Sequence, residues 1–222
     1  MDQAEASASG LNYDENVLLP SYLRARGQFN SADKMLIEDP GFRSWHFANM
    51  VLEASSSAFD VPPDSLQKLR RLVENWDFDF STIPFPRYLD DGELLKAYFK
   101  SQLAFRAGDS ALFDADVVRF NSIEPDSAED PVWRSVKNEL AALRHWLDGD
   151  IRSAIVDMKN AQVDGIYFLG TDLDVMAGRF QPNWYLAQLY EMNGQLNLAL
   201  EWYTAVIGKT EYAPAGWEKA TQ

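Results

Sequence analysis

Apolar residues recur every three to four positions along most of the chain from Val17 onward, which is the spacing that places them on one face of an α-helix. The breaks between these periodic segments are short and rich in glycine, proline and aspartate, as turns and loops are. The alternation of Phe78 and Phe80 has no partner strand nearby, so we interpret that stretch as an extended linker. The pattern therefore predicts an all-α protein.

From Glu93 onward the helical segments come in pairs, and each pair turns at a glycine. Gly108 lies in RAGDS, Gly149 in LDGDI and Gly194 in MNGQL. Glycine readily takes the left-handed conformation that ends a helix, and we expect the next residue to cap the second helix. The glycines are 41 and then 45 residues apart. A helix-pair repeat has a basic unit of about 34 residues, so the extra residues are expected to be loop insertions.

These segments predict four parts of the chain. Residues 1–14 are expected to be a disordered tail, residues 15–80 an N-terminal helical region, residues 81–92 a linker loop, and residues 93–222 helical repeats. Within the second part, two consecutive prolines break the chain and Asp64 is expected to be the N-cap of the following helix.

The last helix pair resembles the tetratricopeptide repeat (TPR) family. The residues at the signature positions of the family are Leu186, Ala187, Tyr190, Gly194, Ala199 and Tyr203. The preceding pair matches at fewer positions, which are Ala142, Gly149, Ala154 and Ala161. In the first pair the match decays, because Phe113 occupies a small-residue position. The resemblance is clearest over about residues 131–215 and implies a short TPR-like α-solenoid of stacked antiparallel helix pairs.

The resemblance also implies a binding groove, because one helix of each pair lines a concave surface in this family. The residues that would face this groove are Glu139, Leu143, Trp146, Trp184, Gln188 and Glu191. One branch of the family grips a terminal carboxylate with Lys, Arg and Asn, and this chain has Glu139 and Trp184 at the relevant places. A basic or apolar segment therefore fits better than an acidic tail. The alternative is that Trp146 and Trp184 pack on neighbouring units or on the N-terminal helices.

Charge and composition narrow the classes of partner. The formal net charge of −14 excludes a typical nucleic-acid binder and disfavours docking on anionic membranes, whereas it attracts a basic protein. The absence of cysteine excludes disulfides and Cys-ligated metals. No apolar run approaches the roughly 20 residues of a membrane span. The N-terminus lacks the basic and apolar regions of an intact signal peptide, so the compartment stays open between cytoplasm and, if an upstream signal was trimmed, periplasm.

Candidate chemistry is sparse, and we predict no catalytic, cofactor or metal residue. The two histidines, His46 and His145, belong to no catalytic or metal motif and are interpreted as core or groove residues. The favoured function is a protein-interaction or scaffold module that is not an enzyme. Two alternatives remain: an acidic helical enzyme or saccharide binder, and a self-association module that forms a homodimer through the end carrying Tyr212 and Trp217.

Overall fold

The described part of the chain is helical throughout and contains no strand, which confirms the predicted all-α class. A computed structural model describes residue 34 and the ranges 44–57, 61–77, 92–123, 131–162 and 180–208. The helices in these ranges are α1 (Ser44–Ser55), α2 (Pro63–Glu74), α3 (Gly92–Arg106), α4 (Ser110–Asn121), α5 (Pro131–Leu147), α6 (Ile151–Asn160), α7 (Phe180–Met192) and α8 (Leu196–Gly208). The predicted tail, and the predicted linker up to residue 91, lie outside the described residues.

The three predicted glycine turns have one and the same geometry. Gly108, Gly149 and Gly194 have φ angles of 69°, 78° and 75°, in the left-handed region that favours glycine. In each turn the N–H of the residue after the glycine donates to the carbonyl five positions earlier. These hydrogen bonds are Asp109 to Ala104 at 3.0 Å, Asp150 to His145 at 2.9 Å and Gln195 to Tyr190 at 2.9 Å. This pattern satisfies carbonyls that a helix end would otherwise leave unpaired.

The predicted capping by the residue after the glycine holds for α4 and α6. Asp109 accepts a hydrogen bond from the backbone N–H of Leu112 at 3.0 Å, and Asp150 accepts one from Ser153 at 3.2 Å. The expectation for α2 is wrong: its N-cap is Pro62, and Asp64 lies inside the first turn. The helix starts two residues earlier than predicted because a proline at the first helical position loses no hydrogen bond.

The helices pack in sequential order around a single core. Within each pair, α3 packs on α4, α5 on α6 and α7 on α8; between pairs, α4 packs on α5 and α6 on α7. The N-terminal helices α1 and α2 both pack on α3. One cluster of buried apolar residues extends from Phe47 to Val206, so the two predicted helical regions contribute to the same core.

The small residues that the repeat pattern places between the paired helices are buried. Ala142 and Ala187 on the first helices, and Ala154 and Ala199 on the second helices, are all buried. Close approach of two backbones needs a small side chain at the contact, as the repeat pattern predicts. Phe113 takes the corresponding position on α4 and is also fully buried, so the first pair fills this space with a ring. None of the helices in the described ranges is both long and apolar enough to cross a bilayer.

Candidate functional site

The six predicted groove residues do not line one accessible surface. Glu139 and Leu143 are completely buried, and Trp184 is nearly so. Trp146 and Gln188 are half-buried, whereas Glu191 is exposed. The structure therefore places Glu139, Leu143 and Trp184 in the interior and leaves Trp146, Gln188 and Glu191 at its edge.

Glu139 is held by hydrogen bonds from the preceding helix pair. The hydroxyl of Tyr98 donates to its carboxylate at 3.1 Å, and the side-chain amide of Gln102 donates to it at 3.1 Å. All three side chains are buried, so α3 and α5 are joined by a polar contact from which water is excluded. A carboxylate used in this way is not available to a basic ligand in this conformation.

A second buried contact joins the last pair to α1 and α3. The side-chain amide of Gln181 donates to the hydroxyl of Ser55 at 2.8 Å and to that of Tyr185 at 2.7 Å. The Tyr185 hydroxyl lies 3.2 Å from the side-chain oxygen of Gln102, to which it donates. Burial raises the pKa of Tyr185, and the negative charge of Glu139 raises it further, so the phenol stays protonated and serves as a donor.

Aromatic rings close the same region. The ring of Phe105 on α3 lies 5.2 Å from that of Trp146 on α5 and 5.5 Å from that of Tyr185 on α7, in edge-to-face geometry. The ring centroids of Trp146 and Tyr185 are 5.9 Å apart. Three rings from three successive pairs thus contact each other, which stabilises the mutual approach of the first helices.

The predicted groove residues Trp184 and Gln188 on α7 contact Ser57, which follows the end of α1. The indole N–H of Trp184 donates to the hydroxyl of Ser57 at 3.1 Å, and the side-chain amide of Gln188 donates to the same oxygen at 2.6 Å. The two tryptophans thus pack as the alternative describes. Trp146 contacts Phe105 of the neighbouring pair, and Trp184 contacts Ser57 of the N-terminal region. Binding of a partner to the six groove residues stays a prediction.

At the outer edge of α7, Glu191 contacts α8. It accepts a hydrogen bond from the hydroxyl of Tyr203 at 2.8 Å, and the Tyr203 ring lies 5.1 Å from that of Trp184. Partial burial raises the pKa of Tyr203, and its hydrogen bond to the Glu191 carboxylate raises it further. The carboxylate remains exposed to solvent.

The histidines offer no built catalytic site in the described part of the chain. His145 lies 3.5 Å from Asp157 and 4.0 Å from Asp150, in a shallow open depression. Its side chain is partly exposed, so it does not lie in the core, and its place in a groove stays a prediction. The side chain of His46 lies outside the part of the chain that the structure describes. No group of three His, Cys, Asp or Glu residues suited to a metal ion occurs in the described ranges.

Two aspartates of α4 serve as ion-pair partners between helices. Asp116, which is buried, lies 2.6 Å from Arg70 of α2 and 3.7 Å from Lys100 of α3. Asp114 lies 2.8 Å from Arg144 of α5. These carboxylates therefore have structural partners, which makes them poor candidates for an acid–base pair.

Three apolar side chains that the sequence reasoning missed form an exposed row on the last pair. Met192, Leu196 and Leu200 are 55%, 65% and 66% exposed. We call these three residues the terminal row. Leu196 and Leu200 are four residues apart on α8, so they lie on adjacent turns of one helix face, and Met192 is the last residue of α7 before the turn at Gly194. Exposed apolar side chains grouped at one end of a helix pair are typical of a contact surface rather than of a solvated helix face.

The terminal row corresponds to positions that are covered in the preceding pair. When the pairs are aligned at their glycines, Leu147, Ile151 and Ile155 take the places of Met192, Leu196 and Leu200. Ile155 is only 8% exposed, and the other two are half-buried. The reason lies in the packing order, because α6 is followed by α7, whereas no described helix packs on the far side of α8. This alignment was the sequence signal that would have found the row.

The charged side chains of the last pair have one sign. Residues 180–208 contain Glu191 and Glu201 and neither lysine nor arginine. Both carboxylates are exposed, and each is next in sequence to a member of the row. The surface is thus apolar with a negative border.

Comparison with known proteins gives this chain no relative from which to infer a function. No protein-family model matched it, and no significant match was found among curated proteins or solved structures.

Proposed function

We propose that the chain is a protein–protein interaction or scaffold module with TPR-like helix pairs, and that it binds its partner through the terminal row. The observation that carries this proposal is the exposure of Met192, Leu196 and Leu200 at positions that the preceding pair uses for stacking. Burying a side chain of this size contributes about 1.5–3 kcal/mol, so a partner that covers all three gains substantial binding energy.

The isolated exposed valine on α4 provides a useful contrast. Val118 is 70% exposed, which is at least as much as any member of the terminal row. Scattered single apolar residues are normal on protein surfaces and carry no functional argument. The pairing of Leu196 and Leu200 on one helix face, and the lower exposure of the equivalent residues in the preceding pair, distinguish the terminal row from Val118.

The polar interior supports binding at the end of the array rather than within it. Glu139, Gln181 and Tyr185 are engaged in buried hydrogen bonds between helices, and opening that region would leave their donors and acceptors unpaired. Each unpaired buried group costs about 1–3 kcal/mol. A partner at the terminal row meets no such cost.

Site-specific photo-crosslinking tests the proposal. A benzoylphenylalanine at Leu196 is expected to form an adduct with another protein in source cells, whereas the same group at Val118 gives none. An adduct with the mass of two copies of the chain would instead favour the self-association alternative. Equal labelling from both positions, or none from either, would contradict the proposed binding surface.

A further inference from the structure

We infer that the terminal row binds a helix of another protein whose apolar stripe is flanked by lysine or arginine, and that this helix lies along α8 as α7 lies along α6. This inference rests on the proposed function and adds the secondary structure and charge of the partner.

The form of the occupant follows from the contact between α6 and α7. The side chains at the equivalent positions, Ile151 and Ile155, lie on a helix whose neighbour in the array is itself a helix. Leu196 and Leu200 repeat this spacing at the start of α8. Ridges made by residues four apart fit the grooves of another helix at an axial separation of about 8–10 Å. A helix therefore matches this surface.

The charge of the occupant follows from the border of the row. Glu191 and Glu201 are exposed beside it, and the last pair has no cation to balance them. Lysine or arginine beside the apolar stripe of the partner would pair with these carboxylates. Charge complementarity of this kind favours correct partners and disfavours acidic ones.

A second copy of the chain fits less well. Two identical faces related by a two-fold axis would bring Glu191 and Glu201 of one copy near the same carboxylates of the other. Each copy also has a formal net charge of −14, which opposes association. The described surface therefore favours a basic partner over self-association.

The segment that follows α8 lacks the required charge. Residues 209–222 contain Lys209 and Lys219 together with Glu211 and Glu218, so their side chains have no net charge. This segment would leave the two carboxylates beside the row uncompensated. We therefore assign the row to another protein.

Three helical peptides test this assignment with the full-length chain. All three are hydrocarbon-stapled, have the same stripe of leucines, and differ only in having lysine, glutamine or glutamate beside it. Fluorescence anisotropy at low salt is expected to give about tenfold tighter binding of the lysine peptide than of the glutamate peptide, since two weak ion pairs are exchanged for repulsions. The ratio is expected to shrink as salt shortens the Debye length.

Matched variants locate the binding surface. Leu200→Glu is expected to weaken binding of the lysine peptide at least about tenfold, whereas Val118→Glu adds the same charge at an exposed apolar position of α4 and leaves binding unchanged. The double variant Glu191→Lys/Glu201→Lys is expected to reverse the preference, so that the glutamate peptide binds more tightly. Helical circular dichroism of each variant checks that the fold is retained.

The outcomes separate this inference from the proposed function. Equal binding of the three peptides, or no binding of any, overturns the basic-helix assignment, whereas a crosslinked partner at Leu196 still supports the interaction module. Dimerisation that Leu200→Glu abolishes identifies a second copy as the occupant and overturns the inference. Tighter peptide binding by Tyr212→Ala/Trp217→Ala shows that the chain's own end covers the row, which also overturns it.

Discussion

The α5–α6 pair and the α7–α8 pair have the same turn but different surroundings. Both end their first helix at a glycine with φ near 75–78°, and both bury alanines where the helices approach. In the middle pair α6 packs on α7 of the next pair, whereas among the described helices α8 packs chiefly on its own partner α7. Equivalent side chains therefore differ in exposure, from 8% at Ile155 to 66% at Leu200.

This difference shows that a repeat pattern specifies the geometry of a pair but not its exposure. The stacking face of each pair is apolar so that the next helix can cover it. Where no described helix lies against this face, the same apolar residues form an exposed surface. The two helices of the last pair also differ from each other. Tyr185 anchors α7 in the core, whereas α8 has exposed apolar residues on one face.

The largest expected contrast compares one leucine in each pair. Leu143→Ala leaves a cavity in a fully buried site and is expected to lower the free energy of unfolding by about 2–5 kcal/mol. Leu200→Ala, at an exposed position, is expected to change it by no more than about 0.5 kcal/mol. Urea unfolding of the full chain measures both. A loss of similar size at Leu200 would show that the terminal row is already covered within the monomer.

A pH dependence is expected from the anchoring of α7. The pKa of Tyr185 is raised in the folded state, so its stabilising contribution is complete below pH 10, the ordinary pKa of tyrosine, and declines above it. The decline is expected to be about 1.4 kcal/mol per pH unit for one buried phenol. Tyr185→Phe should flatten the dependence of the unfolding free energy on pH above about pH 10.

The control for this pH dependence is Tyr203→Phe. The Tyr203 phenol is only partly buried, so solvent screening reduces the consequence of its raised pKa. A smaller change of slope is therefore expected than for Tyr185→Phe. Equal slopes in wild type and Tyr185→Phe would contradict the role of the buried phenol in anchoring α7.

Replacing the turn glycines tests whether the two pairs have the same local geometry. Gly149→Ala and Gly194→Ala are each expected to cost about 1 kcal/mol, because alanine is strained at positive φ. No atom lies within 4 Å of a Cβ added at either position, so only backbone strain contributes. Thermal unfolding of the two variants should therefore give equal shifts, and a clearly larger cost at one turn would break the equivalence.

The smallest expected effect is a stabilising substitution in the last turn. Gln195 takes the place that aspartate has in the other two turns, and its side chain accepts from Asn193 instead. Gln195→Asp is expected to supply the missing N-cap and to raise the unfolding free energy by about 0.5–1 kcal/mol. Asp109→Ala, which removes an existing cap, is the matched control with a loss of about 1 kcal/mol.

Much of the fold was predictable because it depends on neighbouring residues. The glycine turns at Gly108, Gly149 and Gly194 follow from local backbone preferences, and the caps follow from the aspartates that come next. The small residues Ala154 and Ala199 indicated where helices approach. The candidate site was not predictable in the same way. The sequence indicated which residues share a helix face, but it did not indicate which other segments of the chain bury that face.

The covering of these faces depends on contacts between distant parts of the chain. Ser55 and Gln181 are 126 positions apart, and Ser57 and Trp184 are 127 apart. No periodicity within a helix indicates such a pairing. The sequence by itself determined the helices, their turns and the apolar face of each pair, since these depend on residues within a few turns of one another. Only the tertiary structure decided which apolar faces were buried and left the terminal row exposed, because burial depends on which distant segment, if any, lies against each face.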